Sequence, residues 1–246
     1  NYTGVVEAFA FMRYYANSLV IASTVTVVQV STSALAAFAF ARLQFKGRDI
    51  IFLGYLATMM IPHDVLMIPQ FVLMKKIPEW LNLVFSSDFF SGFLYIGDYY
   101  IGHPMGLDSY FALIIPGCFS AYGTFMLRQF LLSISREIEE AAYIDGCSTW
   151  GVFWHVVLPL AKPALGALGI FTFLGNWRSF LWPLIMTDSD SMMVLPVGLA
   201  KLSDLYNNDY GLICAGSVLM LIPMIAVFVL CQRWFISGIQ LRSEER

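Results

Sequence analysis

The sequence predicts an all-α membrane protein, a polytopic bundle of transmembrane helices with one cytoplasmic loop that carries a short helix. Composition is the first reason, because 59% of the 246 residues are hydrophobic and only 13% are charged, whereas a soluble globular domain carries about 25% charged residues. The mean hydropathy of +0.71 agrees with this. The second reason is that several apolar stretches reach the roughly 20 residues that a bilayer-spanning helix needs.

Five stretches are long and apolar enough to span a bilayer, and they cover about residues 17–41, 50–74, 110–132, 164–186 and 210–235. The second is interrupted by Pro62 and Pro69, since proline removes a backbone donor from a helix. No soluble segment is long enough to fold alone, so we predict a single membrane domain over residues 1–246.

The distribution of Lys and Arg predicts the orientation, because cytoplasmic loops carry an excess of these residues. One set of connections holds Arg42, Lys46, Arg48, Arg128, Arg136, Lys162, Arg233, Arg242 and Arg246. The other set holds only Arg13, Lys75, Lys76 and Lys201. We therefore expect the C-terminus in the cytoplasm, and the N-terminus of this chain outside together with connections 75–109 and 187–209.

Residues typical of catalytic and metal sites are scattered along the chain. The four cysteines form no CxxC pair, the three histidines form no HExxH motif, and no GxSxG motif is present. A net charge of −3 without a basic tract also argues against nucleic-acid binding. We predict no catalytic residue, no metal site, no enzymatic activity and no nucleic-acid partner.

The connection over residues 75–109 is too aromatic for a disordered linker. Its aromatic residues include Trp80, Phe85, Phe89, Phe90, Tyr95, Tyr99 and Tyr100. One interpretation is an interfacial segment against the membrane, where Trp and Tyr accumulate. The other is a docking surface for an outside partner. We favour the first.

The longest cytoplasmic loop, about residues 133–163, begins with the pattern of a short helix. Ser135 is suited to cap it, and Glu137, Glu139 and Glu140 complement the positive end of its dipole. Ile138, Ala141 and Ala142 fall on one face at helical spacing. Gly146 is placed where a left-handed residue ends a helix.

A second short helix should follow in the same loop. Ser148 is suited to cap it, and we expect it to run to about His155 and to stop at Pro159. Helices of this length are marginal in water, so a partner protein with a groove would have to hold the first one. The alternative is an interfacial helix that only anchors the loop.

This loop carries, at characteristic spacing, Glu140, Ala141, Ala142, Asp145, Gly146, Val156, Leu158 and Pro159. The set resembles the EAA motif of the permease subunits of binding-protein-dependent ABC importers, with Val156 in place of the usual isoleucine. Other segments resemble the carbohydrate-uptake branch of that family, including its maltose-type second permease. They are residues 39–47, 60–62, 68–69, 177, 180–184 and 195–199.

The resemblance implies six spans, of which the first is missing here, so that Asn1 would lie in the outer loop after it. The loop helix would be a coupling helix that docks on a separate cytoplasmic ATPase. Its docking and shaping residues would be Glu140, Ala141, Ala142, Asp145 and Gly146, with Pro159 at the end of the motif.

The implied assembly lies in the plasma (inner) membrane, in contact with lipid. It contains two ATP-binding cassette ATPase subunits, a second permease, with a heterodimer expected, and an external solute-binding protein. ATP would bind to the partner ATPase, so this chain would hold no cofactor. Its solute would be a sugar or a sugar-like molecule.

A few side chains are candidates for the solute pathway. Ionisable groups inside spans are costly and often functional, which singles out His63, Asp64 and Arg178. Trp177 and Phe180 could stack on sugar rings. For the ionisable groups the alternative is a hydrated kink or a side chain that reaches the interface, and for the aromatic residues it is packing. Arg178 also departs from the branch, which often has asparagine there.

Three other functions stay open at this point. A secondary transporter would need paired pseudo-symmetric halves, which the sequence does not show. A membrane scaffold without transport activity would not associate with an ATPase. An ABC importer for another class of solute would share the loop, and only the carbohydrate-branch segments argue against it.

Overall fold

The computed structural model describes residues 2–8, 10–86, 88–96, 99–205 and 210–240. The α-helices are α1 (Tyr2–Ala8), α2 (Phe11–Arg42), α3 (Arg48–Ala57), α4 (His63–Phe85), α5 (Tyr110–Ile114), α6 (Ala121–Ser133), α7 (Arg136–Ile144), α8 (Thr149–Val152), α9 (Leu158–Leu160), α10 (Lys162–Trp177), α11 (Leu181–Met186), α12 (Leu195–Leu205) and α13 (Tyr210–Gln240). Short 3₁₀ segments cover Thr58–Met60, Phe89–Ser91 and Ile115–Cys118, and a π turn covers Phe153–Val157.

Three helical segments of the described chain are long and apolar enough to cross a membrane: α2, Tyr110–Ser133 and Tyr210–Leu230. Two helix pairs also qualify, Arg48–Met60 with α4 and Thr149–Leu160 with α10, but each is sharply bent at a short break. The membrane fold built of helices is therefore confirmed, and the number of spans is five, as predicted, if each bent pair is counted as one span.

The fourth predicted span, residues 164–186, is not continuous. Helix α10 ends at Trp177, and α11 begins only at Leu181. Pro183 favours this break, because in an uninterrupted helix its position would lack a donor and its ring would crowd the carbonyl of Ser179. In the first turn of a new helix the missing donor is tolerated.

The second predicted span, residues 50–74, is broken at Pro62 but not at Pro69. Helix α4 contains both Pro69 and Pro78 and runs on to Phe85. Each proline removes one hydrogen bond, and the helix keeps the others, which an apolar environment requires. The first part of the aromatic connection is therefore helical.

The rest of that connection contains a small hairpin that the sequence pattern did not predict. Strands β1 (Leu94–Ile96) and β2 (Tyr99–Gly102) pair antiparallel, with Tyr95 opposite Tyr100 and a bulge beside Leu94. Two-stranded hairpins have little stability by themselves, so this one depends on its surroundings. The side chains of its tyrosines lie outside the described part of the chain, and the interfacial role stays a prediction.

The chain divides into two compact units. The first contains Asn1–Val25, Pro62–Gly117 and Phe173–Ala226. Asn17 is central to it, because its amide donates to the carbonyls of Ser191 (2.9 Å) and Met193 (2.8 Å) and accepts from the Tyr110 hydroxyl (2.6 Å). These bonds hold the connection before α12 against the helices.

The second unit contains Thr26–Ile61, Cys118–Thr172 and Val227–Arg246. Its apolar core consists of Ala34, Ala37, Phe38, Ala41, Leu127, Leu131, Val152, Phe153, Val157, Ala161, Ala164 and Leu168. Small residues on α2 let α6 approach closely, and a Cβ added to Gly123 would lie 2.7 Å from the Ser33 hydroxyl. The loop that resembles the EAA motif belongs to this unit.

Candidate functional site

Helix α7 forms at the predicted place and has the predicted caps. The Ser135 hydroxyl accepts a hydrogen bond from the Glu137 amide (3.3 Å). At the other end Gly146 has a φ of +87°, the Gly146 amide donates to the Tyr143 carbonyl, and the Cys147 amide donates to the Ala142 carbonyl, both at 3.0 Å. This pair of bonds is a Schellman motif, which satisfies the free carbonyls at a helix end.

The second helix of the loop begins as predicted, because the Ser148 hydroxyl accepts from the Gly151 amide (3.2 Å). The expected stop at Pro159 is wrong, since the helical backbone continues through it to Leu160 and bends only there, by 74°, before α10. The π turn over Phe153–Val157 lies directly before this proline. A π turn is wider than an α turn, and it leaves room for the proline ring.

One face of α7 is anchored in the second unit. Among the described residues of α7, Glu139 is the buried one, and its Oε1 lies 2.6 Å from Nε of Arg42. The contact is a close ion pair, although neither atom has the alignment of a hydrogen bond. Ala142 packs beside it against the apolar core.

The electrostatics of Glu139 follow from this position. Burial raises the pKa of its carboxyl above the ordinary value, and the guanidinium groups of Arg42 and Arg136 oppose that rise. A buried carboxylate without such a partner would be strongly disfavoured. Arg42 therefore allows Glu139 to be buried as a carboxylate.

The opposite face of α7 is open. Glu140, Ala141, Asp145 and Gly146 are all exposed, as predicted for docking residues, and Ile144 is 86% exposed. Of the predicted set, only Ala142 faces partly inward, and Pro159 is exposed in the second helix of the loop. The structure therefore leaves most of the predicted docking residues accessible.

Sequence reasoning missed several residues of this site. Ile144, Trp150 and Trp154 are large apolar side chains that are 86%, 64% and 60% exposed. Their presence in a connection predicted to be cytoplasmic was a signal, because large apolar side chains outside the membrane spans are suited to contact a partner. Arg42 and Glu139 gave no such signal, since no local pattern pairs residues so far apart in the chain.

The candidate pathway residues lie in the first unit and have different surroundings. Trp177 is only 1% exposed. Its indole donates to the Met220 carbonyl (3.0 Å) and its ring lies 5.4 Å from Tyr15 and 5.9 Å from Phe173, between ring centroids. In this conformation Trp177 packs inside the bundle, and its contact with a solute stays a prediction.

The other candidates are exposed. The His63 ring lies 6.4 Å from the ring of Trp182, and the side chains of Asp64 and Phe180 are exposed. Arg178 is exposed, donates to the Leu174 carbonyl (3.3 Å) and forms no ion pair within the described residues. A guanidinium without a carboxylate partner is available to an anion.

Neither unit offers a metal site in the part of the chain that the structure describes, since no three His, Cys, Asp or Glu side chains are grouped for one. The candidate functional features of that part are the open face of α7 in the second unit and the exposed polar groups of the first unit.

Comparison with known proteins gives one family and several relatives. The family model described as binding-protein-dependent transport system inner membrane component matches residues 29–241. The arabinooligosaccharides transport system permease protein AraQ of Halalkalibacterium halodurans is 35% identical over 233 residues, which are 95% of this chain and 74% of that protein. The sn-glycerol-3-phosphate transport system permease protein UgpE of Yersinia enterocolitica is 33% identical over 225 residues, which are 91% of this chain and 70% of that protein.

A solved structure agrees on the fold. A chain of a bacterial ABC transporter involved in the import of the acidic polysaccharide alginate matches with a TM-score of 0.74 at 24% sequence identity. The match covers 95% of this chain and 78% of that chain. The helical architecture described above is therefore one that a known transporter chain also has.

Proposed function

Because the chain belongs to the family of binding-protein-dependent transport system inner membrane components, we propose that it is the permease subunit of an ATP-driven importer for a sugar or a sugar-like solute. As a member of this family it is a multi-pass membrane protein of a transport system and not an enzyme. Membership is also incompatible with the secondary-transporter and scaffold alternatives. The observation that carries the proposal within the structure is the short, capped helix α7 with one anchored and one open face.

The open face of α7 suits a protein partner. Ile144 is 86% exposed although it lies outside the membrane spans, and Ala141 beside it is small enough to let another surface come close. A short helix that presents such residues typically lies in a groove of its partner. We assign that groove to a cytoplasmic ATPase, with Glu140 placed to pair with a basic residue there.

In this proposal, ATP binding and hydrolysis take place on other chains. We propose two ATP-binding cassette subunits, which bind and hydrolyse ATP, and a second permease that completes the pathway as a heterodimer. This chain then holds no cofactor of its own. The family description names a binding protein, which supports an external solute-binding protein as a further partner.

The proposed orientation has the C-terminus in the cytoplasm, and the division of the charged residues between the two units supports it. Within the described residues, every Lys and Arg of the predicted cytoplasmic set belongs to that unit, namely Arg42, Lys46, Arg48, Arg128, Arg136, Lys162 and Arg233. Those of the predicted outer set, Arg13, Lys75, Lys76 and Lys201, belong to the first unit. The two predicted sets of Lys and Arg therefore fall in different units. This division supports an orientation with the excess of positive residues on the cytoplasmic side.

We propose the mechanism that membership of this family implies. ATP-driven closure of the two ATPase subunits moves α7, and the attached transmembrane helices switch between an inward-open and an outward-open arrangement. The binding protein delivers the solute to the outward-open state. The chain itself makes and breaks no covalent bond, and its contribution is the coupling between two conformations.

A second candidate solute is an acidic one. Arg178 has no carboxylate partner among the described residues and is exposed in the first unit. Relatives of this chain include a permease of a sn-glycerol-3-phosphate transport system, and an arginine guanidinium binds phosphate and carboxylate groups with two parallel hydrogen bonds. A neutral sugar does not need such a group.

A gentle-detergent pull-down of the tagged full-length protein, analysed by mass spectrometry, tests the proposal. We expect an ATP-binding cassette ATPase and a second permease to be recovered with it. The companion binding protein is then screened against neutral oligosaccharides, glycerol-3-phosphate and acidic oligosaccharides. Recovery of the protein alone, also after crosslinking through the loop 140–146, would refute the assembly.

A further inference from the structure

Arg42, the last residue of α2, contacts both α7 and the end of α6 in the second unit. We infer that it is a positioning residue, which through Glu139 forces α7 to move together with the ends of α2 and α6. The inference rests on the proposed function, because it concerns the path by which motion of the docked α7 reaches the membrane. It extends the proposed function from the docking surface of α7 to the contacts that link α7 to α2 and α6.

The contacts of Arg42 divide between two kinds of acceptor. Its Nη2 donates to the carbonyls of Leu131 (2.8 Å) and Ile134 (3.0 Å), and its Nε lies 2.6 Å from Oε1 of Glu139. The two side chains are only 5% and 8% exposed. Arg42 is the last residue of α2, and the two carbonyls belong to the end of α6 and the residue after it.

Arginine is chemically suited to this junction. Most of the last carbonyls of a helix lack a partner within the helix, although that of Leu131 also accepts from the Ile134 amide (3.1 Å). The helix dipole makes this end negative. The planar guanidinium offers several donors in fixed directions, so one group can satisfy the end of α6 and still face a carboxylate. A lysine, with a single ammonium group on a flexible stem, cannot hold all three acceptors in the same way.

The buried charges make the junction stiff. Apolar contact alone would tolerate sliding of α7 over the core, because dispersion contacts are weak individually and have little directionality. If α7 moved away from α2, a carboxylate and a guanidinium would be left buried without partners, which is strongly unfavourable. Motion of α7 that leaves the ends of α2 and α6 behind is therefore disfavoured.

The position of Glu139 on α7 fits this role. It is the buried residue of that helix, on the face opposite the exposed Ala141 and Ile144. A displacement applied by the ATPase at the open face thus passes across the helix to the ion pair. The caps at Ser135 and Gly146 bond within the loop itself and supply no link to α2.

The experiment measures whether α7 and α2 move as one body. Spin labels are placed at Tyr143→Cys on α7 and Leu35→Cys on α2, in a background without the native cysteines, and the full importer is assembled with its ATPase, second permease and binding protein. The distance between the labels is recorded without nucleotide and with ATP plus vanadate. The test variants are Glu139→Gln and Arg42→Gln, and the control is Glu137→Gln, an exposed glutamate of the same helix.

We expect the same narrow distance distribution in both nucleotide states for the unaltered pair and for the Glu137→Gln control. In Glu139→Gln and Arg42→Gln we expect a shift of several ångströms on addition of ATP and vanadate, while the ATPase still co-purifies. A wild-type distance in both states of Glu139→Gln would overturn the inference, as would failure of both variants to accumulate in the membrane, which would make the pair a folding element only. Loss of ATPase association in the unaltered protein would instead refute the proposed function, and the inference with it.

Discussion

Glu139 shows how a single carboxyl is controlled by its surroundings. Its side chain is 8% exposed and lies 2.6 Å from Arg42, whereas Glu137 and Glu140 on the same helix are exposed. Burial raises its pKa above the ordinary value of 4.5, and Arg42 and Arg136 act against that rise. The direction of the net effect sets how its contribution to stability depends on pH.

The stability contributed by Glu139 should increase in acid. Because its pKa is higher in the folded state, that state binds the proton more tightly than the unfolded chain. The contribution is therefore fully present below pH 4.5 and is lost as pH rises through the folded pKa. We expect the thermal midpoint of the wild type, relative to that of Glu139→Gln, to rise as the pH is lowered toward that value.

Thermal unfolding of both proteins in the same detergent at a series of pH values provides the measurement. The comparison removes the titration of other groups, since the two chains differ only at residue 139. A difference between the two midpoints that stays constant with pH, or that changes in the opposite direction, would contradict the direction of the shift.

Gly146 is required for its backbone conformation and not for space. Its φ is +87°, and a Cβ added there would meet no atom within 4 Å. Gly146→Ala should therefore destabilise the turn by about 1–2 kcal/mol, which is the energetic cost of left-handed backbone for a residue with a Cβ. We expect ATP-driven solute uptake into membrane vesicles to fall while the protein inserts in normal amount.

Gly54→Ala is the matched control, because Gly54 also has no atom within 4 Å of an added Cβ but lies in a helix without a positive φ. Uptake should be unaffected by that change. An equal loss in both variants, or normal uptake in Gly146→Ala, would show that the left-handed turn is not what the coupling loop needs.

At the scale of elements, the contact between α2 and α6 depends on small residues. A Cβ at Gly123 would lie 2.7 Å from the Ser33 hydroxyl and 3.2 Å from Leu168, closer than atoms approach without displacement. Gly123→Ala should destabilise the bundle by about 1–3 kcal/mol, as overpacking of a filled core does. The free energy of unfolding, measured in mixed micelles, would report it.

The Ser33 hydroxyl offers an internal control for this contact. It is buried and has no hydrogen-bond partner in the structure, so Ser33→Ala removes an atom from the contact without breaking a bond. The double variant should recover much of the stability that Gly123→Ala loses. If Ser33→Ala gives no recovery, the clash with Leu168 or a backbone shift, and not the approach of the two helices at Ser33, limits the packing.

At the scale of the whole molecule, the open face of α7 should decide which subunits assemble. Ile144 is 86% exposed and lies at the centre of the proposed ATPase contact. Replacing it by aspartate puts a charge where we expect a groove to exclude water, so recovery of the ATPase in a pull-down should fall by tenfold or more. Recovery of the second permease should be unchanged.

Leu83→Asp provides the comparison, because Leu83 is 80% exposed and belongs to the end of α4, on the side that we predict to be external. The ATPase should still be recovered with that variant. Equal losses from both variants would point to a general defect in assembly, and an unaffected Ile144→Asp would place the ATPase contact elsewhere.

The sequence alone was sufficient for features whose physical cause is local. Ser135 and Ser148 cap their helices because a hydroxyl can bond an amide two or three residues later, and Gly146 ends α7 because only a residue without a side chain takes the left-handed conformation freely. Long apolar stretches span membranes regardless of what they pack against. The recognisable spacing of the loop motif likewise lies within one short segment.

Tertiary structure decided what depends on residues distant in the chain. It placed Glu139 against Arg42, enclosed Trp177 between Tyr15 and Phe173, and turned Ile144 outward. It also paired two short strands in a segment without a clear strand pattern, and let a π turn carry the helix through Pro159. The reason is that the burial and the pairing of a residue depend on which other elements pack against its own. The order of residues along the chain does not by itself specify which distant residues will be in contact.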